Sequence, residues 1–434
     1  MLNSYCSLLN FSYIYGLIFQ NAYYLHIVLN MKKLALFLLL FSLSLQGVLF
    51  AQVDTTTTNA LNDINSVKTV KTLPGAYFNS SCGNDRLGGS KMGFIDTNIV
   101  LIVEEATQEL YKVNLSENRY AYIPKEMVAD TTVSEEATQI CATGSTNTSN
   151  QGKFDRIKIN LPVRKPYIIR ENLNPHQLII EVFGTQNNSN WMTQYTDLGA
   201  IRSLDVVQND SDVTTYIANL KNTTSWGYSA KYENNTLIID IKHAPEYTLK
   251  GMTIGVDAGH GGPQSLGAIG RTTKVMEKEL NLSMAYILKE MLEAQGAKVV
   301  LSRVGDEAMT MSERKAKFLE NNIDLMISIH CNAAGGSAHG TSTYYKHIQN
   351  RELAKFILCR LGEIKDVDIW GLVGNFNFSL NAPTEYPAVL VETLFLSYQP
   401  DEEKIVQPKY QKLMMKKVTD GIKDYLKYCK KADK

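Results

Sequence analysis

Four short segments in the C-terminal half carry side chains suited to binding a metal ion or moving a proton: Asp257-Ala-Gly-His260, Glu277, Ser328-Ile-His330 and Val391-Glu392. Two histidines and a carboxylate form the donor set of open zinc sites, in which the fourth position is left to water. A further carboxylate that stays off the metal can take and return protons. Together these groups permit hydrolysis of an amide. Singly, each has a plainer explanation. A lone histidine at a strand end is more often a satisfied surface or core group, and a glutamate opening a helix is favoured by the helix dipole. The chemical reading comes from their joint placement. His176 and His243 fall in a β-rich region, and His339 and His347 flank a strand and are expected to be exposed.

The elements that must position these groups are legible as short apolar runs at 252–257, 297–302, 323–330, 340–345 and 387–392, mostly separated by helical periods. That alternation is the signature of an α/β sheet. Ligands of open α/β sheets bind beyond the carboxyl ends of the strands, where His260, His330 and Glu392 fall. Convergence requires the three strands to be parallel near neighbours. Leu280, Met284, Ile287, Leu288, Met291 and Leu292 make one helical stripe, and Glu277 leads it on the same face. A carboxylate buried there needs a cation. Asp257, Asn332 and Arg303 are candidates for supporting or substrate-touching roles, Asp257 by orienting His260. Arg314 is expected to be structural, on a helix opened by a Thr310/Glu313 capping box.

Asp257-Ala-Gly-His-Gly-Gly262, Glu277-Lys-Glu-Leu-Asn-Leu282, Ser328-Ile-His-Cys-Asn-Ala333 and Pro387-Ala-Val-Leu-Val-Glu-Thr393 resemble the ordered motifs of zinc-dependent N-acetylmuramoyl-L-alanine amidases. The resemblance covers essentially all of 250–430. It implies a twisted mixed sheet between helices, one zinc ion on His260, Glu277 and His330, and Glu392 as the catalytic carboxylate. It further implies peptidoglycan as substrate, cut between the lactyl group of muramic acid and L-alanine. Two positions depart from the family pattern. Leu394 stands where Gly is usual and is expected to narrow the crevice; Cys331 replaces a common Ala and is expected to be a buried hydrophobe. Between His330 and Glu392 a strand, a helix at 351–361 and a Gly/Asn-rich loop leave no room for a long inserted helix over the site. An exported zinc peptidase of other specificity, or a wall-binding protein without activity, remain as alternatives; the presence of all four groups argues against the second.

The rest of the chain is read as delivery. Lys plus Arg equals Asp plus Glu at 44 each among 434 residues, so there is no basic field to hold nucleic acid. Residues 31–51 have the basic start, short apolar run and small terminal residue of a cleaved signal peptide, and the apolar run is too short to span a bilayer. A periplasmic or envelope-associated protein without a transmembrane anchor is expected, with translation starting at Met31. Residues 66–128 read as a small β-barrel-like domain, with 111–124 resembling the closing strands of bacterial Src-homology-type barrels. Residues 129–152 read as a linker. Residues 154–245 read as an all-β domain resembling the AMIN domain, a β-sandwich that targets amidases to the envelope. Among the mature cysteines a Cys82–Cys141 bridge is the minority expectation and isolated thiols the default.

Overall fold

The computed structural model describes residues 68–82, 91–132 and 138–434, and Ser66–Lys434 form one compact unit. The signal-peptide segment at 31–51 lies outside the described residues. No helix among the described residues is long and apolar enough to cross a membrane.

The C-terminal region is a six-stranded sheet of β1 (Thr253–Ala258), β2 (Lys298–Leu301), β3 (Leu325–Asn332), β4 (Thr341–Tyr344), β5 (Ile369–Val373) and β6 (Ala388–Phe395), in the order β2-β1-β3-β6-β4-β5. β1, β3 and β6 are parallel neighbours, with Asp257 opposite Ser328 and His330 opposite Glu392. This is the condition that convergence of the site demanded. β4 runs antiparallel to β6 and β5 parallel to β4, so the sheet is mixed. The edge strand β5 falls where the sequence suggested only a loop.

The helices are α1 (Glu277–Glu293), α2 (Met311–Glu320), α3 (Arg351–Leu361), α4 (Gln399–Ile405) and α5 (Pro408–Ala432). Leu280, Met284 and Leu288 of α1, Ile357 of α3 and Ile422 of α5 share a core with Leu325 and Ile327, whereas Phe318 of α2 packs in a separate cluster with Met326. Successive β3 residues thus feed opposite cores, as strand alternation requires. Thr310 caps α2 as expected, accepting from the Glu313 backbone while Glu313 reaches back. α3 is occupied with its own core contacts, leaving no described helix to spare over the site.

Before residue 250 the described chain is all β. Residues 69–130 form a seven-stranded antiparallel sheet, whose edge strands, Lys91–Phe94 and Val128–Asp130, do not pair with each other among the described residues. Three further sheets follow: those of five and four strands centre on Phe154–Asn160 with Thr236–Lys242 and on His176–Phe183 with Val213–Leu220, and a two-stranded one pairs Cys141–Ala142 with Thr185–Gln186. Ile157, Ile180, Leu204 and Ile239 join their cores. The five-stranded sheet starts earlier than the sequence suggested. Thr146–Asn150, read as linker, is a strand paired with Phe154–Asn160. Its threonines disguise it: Thr146 and Thr148 are buried, and β-branched side chains suit strands despite their hydroxyls.

The seam near 245–250 is also less clean than composition implied. Trp226 is 2% exposed and belongs to the core of the C-terminal region, with its ring 6.1 Å from Tyr247 and 6.0 Å from Tyr425. At Gly227 (φ 111°) a Cβ would lie 2.3 Å from the Glu385 backbone, and the next residue donates its N–H to the Thr384 carbonyl. A cleft of about 790 Å3 opens where the regions meet, lined among others by Lys91, Phe94, Tyr167, Tyr228, Lys315 and Lys346. None of His260, Glu277, His330 and Glu392 lines it.

Candidate metal centre

His260 follows β1, Glu277 is the first residue of α1, and His330 lies in β3; one donor atom from each falls within 4.8 Å of the others. Glu277 is the hub. Its Oε1 lies 2.9 Å from His330 Nδ1 and its Oε2 3.3 Å from His260 Nε2. The carboxylate also accepts the backbone N–H groups of Cys331 and Ala268 and the Asn281 side chain. Burial raises its pKa, but hydrogen bonds and charge from the two histidines outweigh that and hold the carboxyl well below its ordinary range. For His330 burial acts downward, and the Glu277 hydrogen bond and charge, with Glu392 beyond, lift the imidazole to about 9.

Two glycines make the convergence possible. A Cβ on Gly259 would lie 2.3 Å from the His330 ring, and one on Gly267 would lie 2.4 Å from Glu277 Oε2 and 2.8 Å from His260. Gly267 also sits at φ 72°, a region open mainly to glycine. His260 itself is at φ 63°, an uncommon conformation for a side chain of its size. What holds it is Arg314, fully buried, which donates to the His260 and Ala258 carbonyls and pairs with Asp257 at 2.6 Å. Asp257 spends its other oxygen on Ser328. It therefore steers His260 through Arg314 and the backbone, not by touching the ring, whose Nδ1 faces Ser265 Oγ at 3.2 Å. Arg303 clamps the Ala258, Gly259, Lys278 and Gly305 carbonyls, all of them backbone groups. Asn332 donates to the Tyr344 hydroxyl.

Glu392 is half-buried, opposite His330 in register, and its Oε2 is shut from solvent without a hydrogen-bond partner. Burial lifts its carboxyl to about 7; the charge on His330 opposes the rise and that on Glu277 adds to it. A carboxyl near neutrality is suited to exchanging protons. His330 Nε2 is similarly buried and unpartnered. A donor set of two imidazoles and a carboxylate, with orphaned polar atoms beside it, fits a zinc ion.

The other histidines among the described residues take no part. His176 and His243 pair with Glu171 and Asp155. His347, expected at the surface, is half-buried and bonded through Nε2 to the Ala382 carbonyl, and His339 faces Asp368. Leu394 does not narrow the crevice: it is fully buried in the core. Cys331 is buried, its thiol pushed up by burial, as expected of a small hydrophobe. Cys82 and Cys141 are free thiols.

The family model for N-acetylmuramoyl-L-alanine amidase matches residues 254–424. This chain belongs to that family. The amidase domain is 34% identical over 181 residues to the uncharacterised protein YqiI of Bacillus subtilis, covering 41% of this chain and 86% of YqiI. It is 35% identical over 180 residues to the N-acetylmuramoyl-L-alanine amidase LytC of the same organism, covering 40% of this chain but only 36% of LytC. Among solved structures, the N-acetylmuramoyl-L-alanine amidase of Clostridium difficile 630 is 32% identical, covering 41% of this chain and 97% of that one, with a TM-score of 0.38.

Proposed function

We propose that the amidase domain is a zinc-dependent peptidoglycan hydrolase that cleaves the amide between N-acetylmuramic acid and the L-alanine of the stem peptide. The observation that carries this reading is the meeting of His260, Glu277 and His330 within 4.8 Å, with Glu392 one strand away. A zinc ion held by His260, Glu277 and His330 would supply Lewis acidity and make water acidic enough to attack at neutral pH. Glu392 takes the proton of the attacking water and returns it to the departing nitrogen. Its poise near pH 7 suits both halves of that transfer. Glu277 keeps both imidazoles oriented, and the Arg314 and Arg303 clamps keep the loop after β1 from moving away.

Delivery belongs to the same reading: export through the segment 31–51, cleavage near Gln52, and an AMIN-like targeting role for 154–245. N-terminal sequencing of the exported protein checks the cleavage. Replacing His260, Glu277 or His330 by Ala should remove both metal and activity. Glu392→Ala should keep the metal yet lower turnover on purified peptidoglycan by roughly 10² to 10⁴. Loss of metal in that variant, or hydrolysis at the parental rate, sinks the assignment.

A further inference from the structure

A row of aromatic rings leads outward from the metal centre. The Phe378 ring meets His330 edge-on at 5.7 Å, Phe376 lies 6.2 Å from Phe378, and Tyr344 lies 4.7 Å from Phe376. Trp370 then stacks on Tyr344, with centroids 6.5 Å apart and planes within 17°, and contacts Phe395 at 6.2 Å. Tyr344 and Phe395 are buried, but Trp370 is 49% exposed and is flanked on β5 by exposed Ile369 and Leu372. Core packing accounts for the first two rings and leaves an indole face bare.

The register places that face. Ser342 of β4 pairs with Glu392 on one side and with Gly371, the neighbour of Trp370, on the other. Trp370 therefore stands level with Glu392, two strands along the sheet, or about 10 Å at the usual inter-strand spacing. The Tyr344 hydroxyl lies between them, bonded to Ser342 and Asn332. No charged residue occurs in β5.

We infer that Trp370, backed by Tyr344 and flanked by Ile369 and Leu372, is a saccharide subsite for the glycan strand. The inference rests on the proposed amide cleavage. Only a short lactyl ether separates the scissile amide from its pyranose ring, so with the amide at Glu392 the sugars must lie within one or two strand spacings. A pyranose presents a face of C–H bonds that packs on an aromatic ring, and an exposed, uncharged indole is suited to it. The stem peptide, with its carboxylates, is poorly served by this patch. A docked protein would need about 800 Å2 on this side, far more than three side chains provide, and would cover the catalytic groups.

The test separates saccharide binding from hydrolysis. Soluble glycan strands stripped of peptide are titrated into the full chain and binding is followed by isothermal titration calorimetry, a readout that does not depend on the indole the variants remove. Trp370→Ala should weaken glycan binding about tenfold, a loss of the size expected for one aromatic stacking contact, and raise KM for glycan-linked substrate by a similar factor. Trp370→Phe should restore most of both, which a purely structural role would not require. Unchanged glycan affinity in folded Trp370→Ala overturns the subsite. So does parental dimerisation that this variant abolishes, since the patch would then join copies of the chain. Glycan binding without any amide hydrolysis would instead reject the proposed function while leaving the saccharide site standing.

Discussion

Gly259 offers a direct measure of how tightly the candidate metal centre is packed. An added Cβ would lie 2.3 Å from two atoms of the His330 ring and 2.7 Å from a third, where ordinary contact begins at 3.4 Å. In Gly259→Ala, the ring or the β1 loop must therefore retreat by about 1.1 Å. The loop has little freedom to do so, because Arg303 holds the Gly259 carbonyl and Asn281 approaches it as well. His330 has as little, pressed against Phe378 and bonded to Glu277. Overpacking of this kind costs about 1–3 kcal/mol of stability, and a 1 Å misplacement of a catalytic group costs about 10²-fold in rate. The variant should remain folded by circular dichroism, bind zinc more weakly in competition with a chromogenic chelator, and hydrolyse peptidoglycan at least tenfold more slowly. Parental zinc affinity and rate would refute the reasoning, because His330 would then have room the packing denies it.

Three further outcomes follow from the same packing. Arg314→Met leaves the Asp257 carboxylate buried without its paired guanidinium, and should cost about 3–5 kcal/mol in denaturant unfolding; adding Asp257→Asn should recover part of it. Trp226→Ala should destabilise the C-terminal transition by about 3–5 kcal/mol, although the residue lies outside the family match, and a normal transition would show that the seam is not shared. Lys91 is pushed down to about 8 by burial and by the Lys315 and Lys346 ammonium groups. The folded protein then binds fewer protons than the unfolded chain between about pH 8 and 10.5, so stability should rise with pH across that window. Lys91→Gln should flatten the rise in a series of thermal midpoints.

The site was readable because its chemistry sits at strand ends, where a short apolar run stopping at His or Glu announces both the element and its functional rim. The shared face of Glu277 and Leu280 was likewise written in helical spacing. What the sequence concealed depends on partners far along the chain. Nothing local marks Gly259 as a cradle for His330, seventy-one residues later, or shows that Asp257 serves Arg314 and not the His260 ring. Ile369–Val373 hid among Gly, Asp and Asn because an edge strand needs only one bonded neighbour. Thr146–Asn150 hid because its buried positions are threonines. Trp370 had no signal apart from being a tryptophan in a loop-like stretch, and only the register across β4 and β6 sets it level with Glu392.

Trp226 has a consequence in time as well as in space. The pocket that receives it is closed by Tyr425 of α5, about two hundred residues later in the chain. At synthesis rates of about 5–20 residues per second, roughly 10–40 s separate the two. Contacts of such separation close late and slow folding. The β region can thus take shape while its indole stays exposed, and the amidase core is completed only when α5 arrives. Folding of the domain that cuts is thereby coupled to a residue belonging to the sheets before it.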